Sequence, residues 1–93
     1  MARPPRLKPE QITEKLPLIP GWTYERGALR REFKFPTFVE AFGFMTRVAL
    51  QAERIDHHPN WSNVYNTVSV SLSTHDAGGV TDLDFELAKR MKP

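Results

Sequence analysis

Hydrophobic residues near the N-terminus predict a short helix. Over residues 9–16, apolar residues four apart lie on one helical face, and a proline stands at each end of the segment. Lys8, just before it, lacks the short oxygen-bearing side chain that caps a helix N-terminus well. We therefore expect a helix that is weak at its start, preceded by a loose arm over residues 1–6.

Alternating residues then predict a β-hairpin. Residues 22–24 and 29–35 flank Arg26-Gly27, a pair typical of a tight turn. In the second strand one face carries apolar side chains and the other carries charged ones, and only Arg31 breaks the alternation. The apolar face consists of Leu29, Phe33 and Phe35, and the charged face consists of Arg30, Glu32 and Lys34.

The segment after Pro36 predicts a long helix from Phe38 to about Arg54. Thr37 and Glu40 form a capping-box pattern, in which the hydroxyl and the carboxylate each accept a hydrogen bond from a free backbone N–H. Apolar residues cover more of this helix than one core-facing stripe requires. Because a chain of 93 residues has little protein with which to cover two sides of a helix, the surplus suggests an oligomer contact. The two stripes are Phe38, Phe42, Met45, Ala49 and Ala52, and Ala41, Phe44, Val48 and Ile55.

The C-terminal half predicts a second pair of strands and a last helix. Residues 62–74 alternate between aliphatic and polar side chains, and the length of this run suggests a hairpin turned at Asn66-Thr67. Thr81 is a suitable N-cap for a helix with one buried stripe. The apolar positions are Val64, Val68, Val70 and Leu72 in the strands, and Leu83, Leu87 and Met91 in the helix.

The element order α-β-β-α-β-β-α, with short connections, predicts an α+β fold. We expect a four-stranded antiparallel sheet with helices packed on one face, as a single domain over residues 1–93. The absence of cysteine excludes disulfides and thiolate metal sites, and no run approaches the ~18 apolar residues of a membrane span. A net charge of +2, spread along the chain, gives no basic face of the kind that nucleic-acid binding requires.

All three histidines, His57, His58 and His75, fall in loops or at a strand end, where sites are generally built. A hairpin between His57-His58 and His75 returns the chain to the same end of the sheet, which permits the three histidines to lie close together. Two kinds of site compete. A metal site is less favoured, because adjacent residues of an extended segment point to opposite sides. Acid–base catalysis needs imidazoles that titrate near neutral pH around one reacting group.

Three carboxylates near these histidines could orient the rings or favour their charged form. Each also has a purely structural interpretation. Glu53 could be a solvated residue at a helix end, Asp56 a cap of the turn, and Asp84 an acceptor for backbone N–H groups at the start of the last helix. The residues alone leave these alternatives open.

A set of residues at fixed spacings is more informative about function than the composition is. Glu53, His57-His58-Pro59, Tyr65, His75 and Asp84 occur in an order and spacing that match the full signature of the pterin-4a-carbinolamine dehydratases. The segments 41–53, 56–59, 63–66 and 72–75 also agree with that family. The chain therefore resembles this family from Leu7 to the last helix.

The resemblance implies an enzyme that dehydrates 4a-hydroxytetrahydropterin to quinonoid dihydropterin, which recycles the cofactor of aromatic amino acid hydroxylases. Pterin is then the substrate, and neither a cofactor nor a metal is expected. Histidine acid–base catalysis is implied, with His57 and His75 expected to share the proton transfers and His58 to position the substrate. The implied pterin-lining residues are Asp56, His57, His58, Ser73, Thr74, His75 and Asp76, and supporting roles are expected for Glu53, Pro59, Trp61 and Asp84.

Similar proteins form homodimers through sheet edges and some form tetramers through the long helix, here residues 37–54. The alternative function is a protein-binding module that acts as a transcriptional coactivator, or dimerisation cofactor of a hepatocyte nuclear factor, through the same helix. Partner binding is then expected on the exposed side of the helix that carries Phe44 and Val48. Val48→Glu is expected to abolish partner binding or tetramers while sparing the chemistry of the monomer. Other expected partners are an aromatic amino acid hydroxylase or a transcription factor, but neither nucleic acid nor membrane. The expected location is cytoplasmic, or nuclear for an animal-type coactivator.

Overall fold

The predicted α+β architecture is confirmed. The computed structural model describes residues 4–93, so residues 1–3 of the predicted arm lie outside the described residues, while residues 4–8 have no regular secondary structure. Short 3-10 turns follow α1, at Leu16–Leu18, and β4, at His75–Ala77. The elements are α1 (Pro9–Lys15), β1 (Thr23–Glu25), β2 (Ala28–Lys34), α2 (Phe38–Ile55), β3 (Asn60–Val64), β4 (Thr67–Leu72) and α3 (Asp82–Arg90).

The four strands form one antiparallel sheet in the order β1-β2-β4-β3. Leu29 and Phe33 of β2 are buried as predicted, and Phe35 is half-buried beyond the strand end. Arg31 interrupts this apolar face because its guanidinium lies over the Phe33 ring, 4.3 Å from the centroid, and donates a hydrogen bond to the Pro20 carbonyl. The opposite face of the sheet is polar.

The second hairpin turns one residue earlier than predicted, at Tyr65-Asn66. Val64 pairs with Thr67, and Val64 is 76% exposed rather than buried with Val68. The prediction was wrong here because a two-residue turn pairs an even-numbered residue with an odd-numbered one. Even-numbered residues therefore face the core in β4, and odd-numbered residues face it in β3. β3 also begins before the predicted run over residues 62–74, because Asn60 and Trp61 are its first residues.

Helix α2 begins at the predicted N-cap, where the Thr37 hydroxyl accepts a hydrogen bond from the Glu40 backbone N–H at 3.2 Å. The Glu40 carboxylate accepts from the Thr37 hydroxyl instead of the backbone N–H that a capping box predicts. The second predicted stripe and Ala52 face the core, with Ile55 half-buried, and Met45 of the first stripe also packs against it. The side chains that remain outside include Phe38, Val39, Phe42 and Leu50.

The expectation that Val48 lies on the exposed side of this helix is wrong, because Phe44 and Val48 are only 0% and 2% exposed. Phe44 is the centre of the core, with ring centroids 4.6 Å from Phe33 and 5.1 Å from Phe35. Val48→Glu would therefore test the stability of the fold and not partner binding, because it buries an unpaired charge.

The two terminal helices close the core. At α1, the Lys8 backbone N–H donates to Gln11 Oε1 at 2.8 Å, which supplies a cap that the Lys8 side chain cannot. At α3, Leu87 and Met91 are buried as predicted, and Leu83 is half-buried. Over residues 4–93, no helix has both the length and the apolar character that crossing a membrane demands.

Candidate active site

The end of α2 fixes the position of His57. Asp56 adopts the left-handed conformation (φ 51°), and the His57 backbone N–H donates to the Ala52 carbonyl at 3.1 Å. This is the hydrogen bond that closes a helix in a Schellman motif, and aspartate is one of the few residues that tolerate such a φ. Pro59 then keeps His58 extended and leads the chain into β3. The backbone of His57 is thus held by the helix itself.

The chain returns to the same end of the sheet after β4. Asn60 pairs with Ser71, so the segment before β3 and the segment after β4 leave the sheet side by side. The Thr74 backbone N–H donates to the Gly79 carbonyl at 2.8 Å and closes a small loop that begins with His75. Gly78 permits this closure because its φ is +73°.

One cavity of about 260 Å³ lies where these two segments meet. Six of the seven residues predicted to line a substrate site surround it, and the seventh, Asp56, does not. A larger cavity of about 600 Å³ lies on the polar face of the sheet and has none of the three histidines in its wall. The histidine cavity is lined by His57, His58, Ser73, Thr74, His75 and Asp76.

His57 is held by a buried carboxylate. Its Nε2 lies 2.5 Å from Asp84 Oδ1, and the two residues are 5% and 0% exposed. Asp84 Oδ2 accepts two further hydrogen bonds, from the Thr74 hydroxyl at 2.9 Å and from the Thr81 backbone N–H at 2.8 Å. Both interpretations of Asp84 therefore apply, because one carboxylate caps α3 and orients the imidazole.

The other two histidines are more open to solvent. His58 Nε2 lies 3.3 Å from Glu53 Oε1, and both side chains are more than half exposed. Such a pair contributes little to stability, so His58 is held less firmly than His57. His75 is exposed at the start of its 3-10 turn. The cavity thus combines one fixed imidazole with two accessible ones.

The remaining predicted residues lie outside this cavity. Asp56 ends α2, and Pro59 is half-buried between His58 and β3. Trp61 packs against the core and contributes to the wall of the cavity on the polar face of the sheet. Tyr65 lies at the opposite end of the β3–β4 hairpin and is 64% exposed. Thr81 was predicted only as a helix cap, although the Thr81-x-x-Asp84 spacing already indicates a shared capping site.

Fold and site together define a small α+β protein with imidazoles gathered at one end of an antiparallel sheet. The family model described as Pterin 4 alpha carbinolamine dehydratase matches residues 5–93. The chain therefore belongs to the pterin-4a-carbinolamine dehydratase family, as its sequence predicts. This membership makes it an enzyme of the hydro-lyase class.

Individual relatives agree. A protein of Bradyrhizobium sp. (strain BTAi1) that carries the name pterin-4-alpha-carbinolamine dehydratase is 60% identical over 88 residues, which cover 92% of this chain and 89% of the relative. A protein of the same name from Prochlorococcus marinus (strain MIT 9303) is 54% identical over 83 residues, which cover 89% of this chain and 86% of the relative. A crystal structure from Brucella melitensis, titled transcriptional coactivator/pterin dehydratase, superposes with a TM-score of 0.89. It is 46% identical and covers 92% of this chain and 94% of its own.

Proposed function

We propose that this protein converts a 4a-hydroxytetrahydropterin into quinonoid dihydropterin and water by histidine acid–base catalysis. The observation that carries the proposal is the convergence of His57, His58 and His75 on one cavity, with His57 bonded to the buried Asp84. Family membership supplies the substrate class. The reaction would recycle the pterin cofactor of aromatic amino acid hydroxylases.

The chemistry needs two proton transfers and nothing else. The C4a–O bond breaks, the hydroxyl leaves as water after it gains a proton, and N5 loses its proton as the C4a=N5 double bond forms. No electrons are exchanged with another molecule, so we propose that no redox cofactor takes part. Imidazole groups suit both transfers because they exchange protons near neutral pH.

His57 is the proposed base. A carboxylate only accepts hydrogen bonds, so His57 Nε2 carries a proton and donates a hydrogen bond to Asp84 Oδ1. Among the described residues, the ring of His57 is hydrogen-bonded through Nε2, and no buried side-chain nitrogen or oxygen lacks a partner, so Nδ1 is not a buried atom. Because His57 lines the cavity, we propose that Nδ1 faces it. Nδ1 can accept the N5 proton while Asp84 stabilises the imidazolium that results.

His75 is the proposed acid, because it lines the same cavity from the opposite segment and is accessible to solvent for reprotonation. His58, paired with Glu53, is proposed to position the pterin. Ser73 and Asp76 offer a hydroxyl and a carboxylate to the amide and amine edge of the pterin ring. Thr74 completes the wall, but its hydroxyl is bonded to Asp84 and Thr81.

The direct test generates the 4a-carbinolamine in situ with an aromatic amino acid hydroxylase and follows its decay by ultraviolet absorbance. Purified protein should accelerate the decay in proportion to its concentration. The same assay with a 6-methyl and a biopterin-like substrate would measure the preference for the C6 side chain. Decay at the rate of buffer alone, with correctly folded protein, would contradict the proposed function.

We also propose that the protein self-associates through α2 and the sheet edges. Phe38, Val39, Phe42 and Leu50 form an exposed apolar stripe on α2, and the rings of Phe38 and Phe42 lie 5.7 Å apart. An apolar stripe of this kind is typical of an association surface. The coactivator alternative is less favoured, because the histidine cavity retains its complete wall. The relatives described above are bacterial, which favours a cytoplasmic and not a nuclear location.

Phe42→Glu is expected to reduce self-association without unfolding the chain, because the side chain is 53% exposed. Sedimentation velocity should show a shift toward the smaller species, and circular dichroism should be unchanged. Gln51→Glu is the matched control, since it adds the same single charge and a separation of nine residues places it about 180° around the helix from Phe42. Equal distributions for Phe42→Glu and the unmodified protein would contradict the proposed surface.

A further inference from the structure

A buried pair of threonines lies behind the His57–Asp84 pair. The Thr74 and Thr81 hydroxyl oxygens are 2.7 Å apart, and these residues are 2% and 0% exposed. Thr74 Oγ1 also lies 2.9 Å from Asp84 Oδ2, and Thr81 Oγ1 lies 3.2 Å from the Leu83 backbone nitrogen. Four groups are thus linked in one continuous chain of hydrogen bonds.

The direction of this chain follows from counting protons. A hydroxyl has a single proton, and the Asp84 carboxylate can only accept, so Thr74 must donate to Asp84. Thr74 must then accept from Thr81, whose oxygen in turn accepts from the Leu83 N–H. The order of donation is Leu83 to Thr81 to Thr74 to Asp84, and neither hydroxyl can donate in the opposite direction.

This chain restricts the carboxylate. Asp84 Oδ2 receives the Thr74 hydroxyl and the Thr81 backbone N–H, so rotation of the carboxylate would break two buried hydrogen bonds. Oδ1 consequently stays directed at His57 Nε2. The Glu53–His58 pair has no such support within the described residues, since Glu53 bonds only through an exposed carboxylate at 3.3 Å.

We propose that Thr81 is a positioning residue for the dehydration reaction: its hydroxyl, acting through Thr74 and Asp84, holds His57 in the tautomer with the proton on Nε2. This inference rests on the proposed function for its catalytic consequence, but the tautomer can be measured without substrate. Thr81 touches neither the cavity nor the imidazole, so its effect on His57 is indirect.

The test compares two N-cap threonines that have the same local role. Thr37 caps α2 with its hydroxyl, as Thr81 caps α3, but Thr37 has no bond to the site. Thr37→Val and Thr81→Val should each lower the unfolding midpoint, by about 4–8 °C if the cap contributes its usual amount. Only Thr81→Val should also lower kcat, roughly tenfold with little change in KM, and Thr81→Ser should restore it.

Long-range ¹⁵N–¹H correlation spectra of the histidine rings give the deciding measurement. The unmodified protein and Thr37→Val should show His57 protonated at Nε2. In Thr81→Val, Thr74 loses the donor that fixes the direction of its hydroxyl, so the hold on Asp84 Oδ2 weakens. The carboxylate can then turn away from Nε2 in part of the population, and the spectrum should show a mixture of tautomers. Thr74→Val cuts the same chain and keeps the α3 cap, so it provides the spectrum if Thr81→Val does not fold. An unchanged His57 spectrum in both variants would overturn the proposal, even if the dehydratase assay were negative for the unmodified protein.

Discussion

Asp84→Asn is expected to lower kcat by about 10²–10⁴-fold, the range that general acid–base catalysis contributes. The Thr81 N–H and the Thr74 hydroxyl both donate to Oδ2, so the amide oxygen of the variant must occupy that position. The amide nitrogen then faces His57 Nε2 as a donor and forces the imidazole proton onto Nδ1. The nitrogen that should accept the substrate proton is thereby occupied.

Steady-state kinetics with the carbinolamine generated in situ would measure this loss, and KM should stay close to that of the unmodified protein because Asp84 does not line the cavity. Glu53→Gln is the matched control, since it makes the same chemical change in the other histidine–carboxylate pair. That pair is exposed, so we expect a loss of no more than about fivefold. Full kcat in a folded Asp84→Asn protein would remove the carboxylate from the mechanism.

Replacing His57 and His75 together with alanine is expected to remove most of the acceleration over buffer. Each single replacement removes one of the two proton transfers and should cost about 10²–10⁴-fold. Because both transfers accompany the cleavage of one C–O bond, the double variant should lose little more than the worse single variant. Turnover of the double variant at the full rate would refute the assignment of both residues.

His58→Ala separates positioning from proton transfer, and it should raise KM more than it lowers kcat. Added imidazole offers a second discrimination. It should restore part of the activity of His75→Ala, whose vacated position is open to solvent. It should restore less in His57→Ala, because the vacated position is buried against Asp84. Equal rescue of both variants would contradict the distinct environments assigned to the two rings.

Local patterns predicted most of the fold. The Thr37 and Thr81 caps, the Arg26-Gly27 turn and the period of the long helix depend only on residues within a few positions of one another. The prediction of which β3 side chains face the core was wrong, because this depends on how β3 pairs with β4. The turn at Tyr65-Asn66 sets that pairing and so decides whether the odd- or the even-numbered residues of β3 face the core. The same limit applied to α2, where the sequence indicated two apolar stripes and could not tell which one the sheet would cover.

The candidate site divides in the same way. The identity and spacing of His57, His58 and His75 pointed to the family and to acid–base chemistry, because residue types and their order are properties of the chain itself. The burial of Asp84 against His57, 27 positions away, and the bond between two threonine hydroxyls were decided by the tertiary structure. Residues far apart in the sequence can make such contacts, so local patterns do not predict them. The strength of these hydrogen bonds depends on the exclusion of water, which only the packed helices and sheet provide.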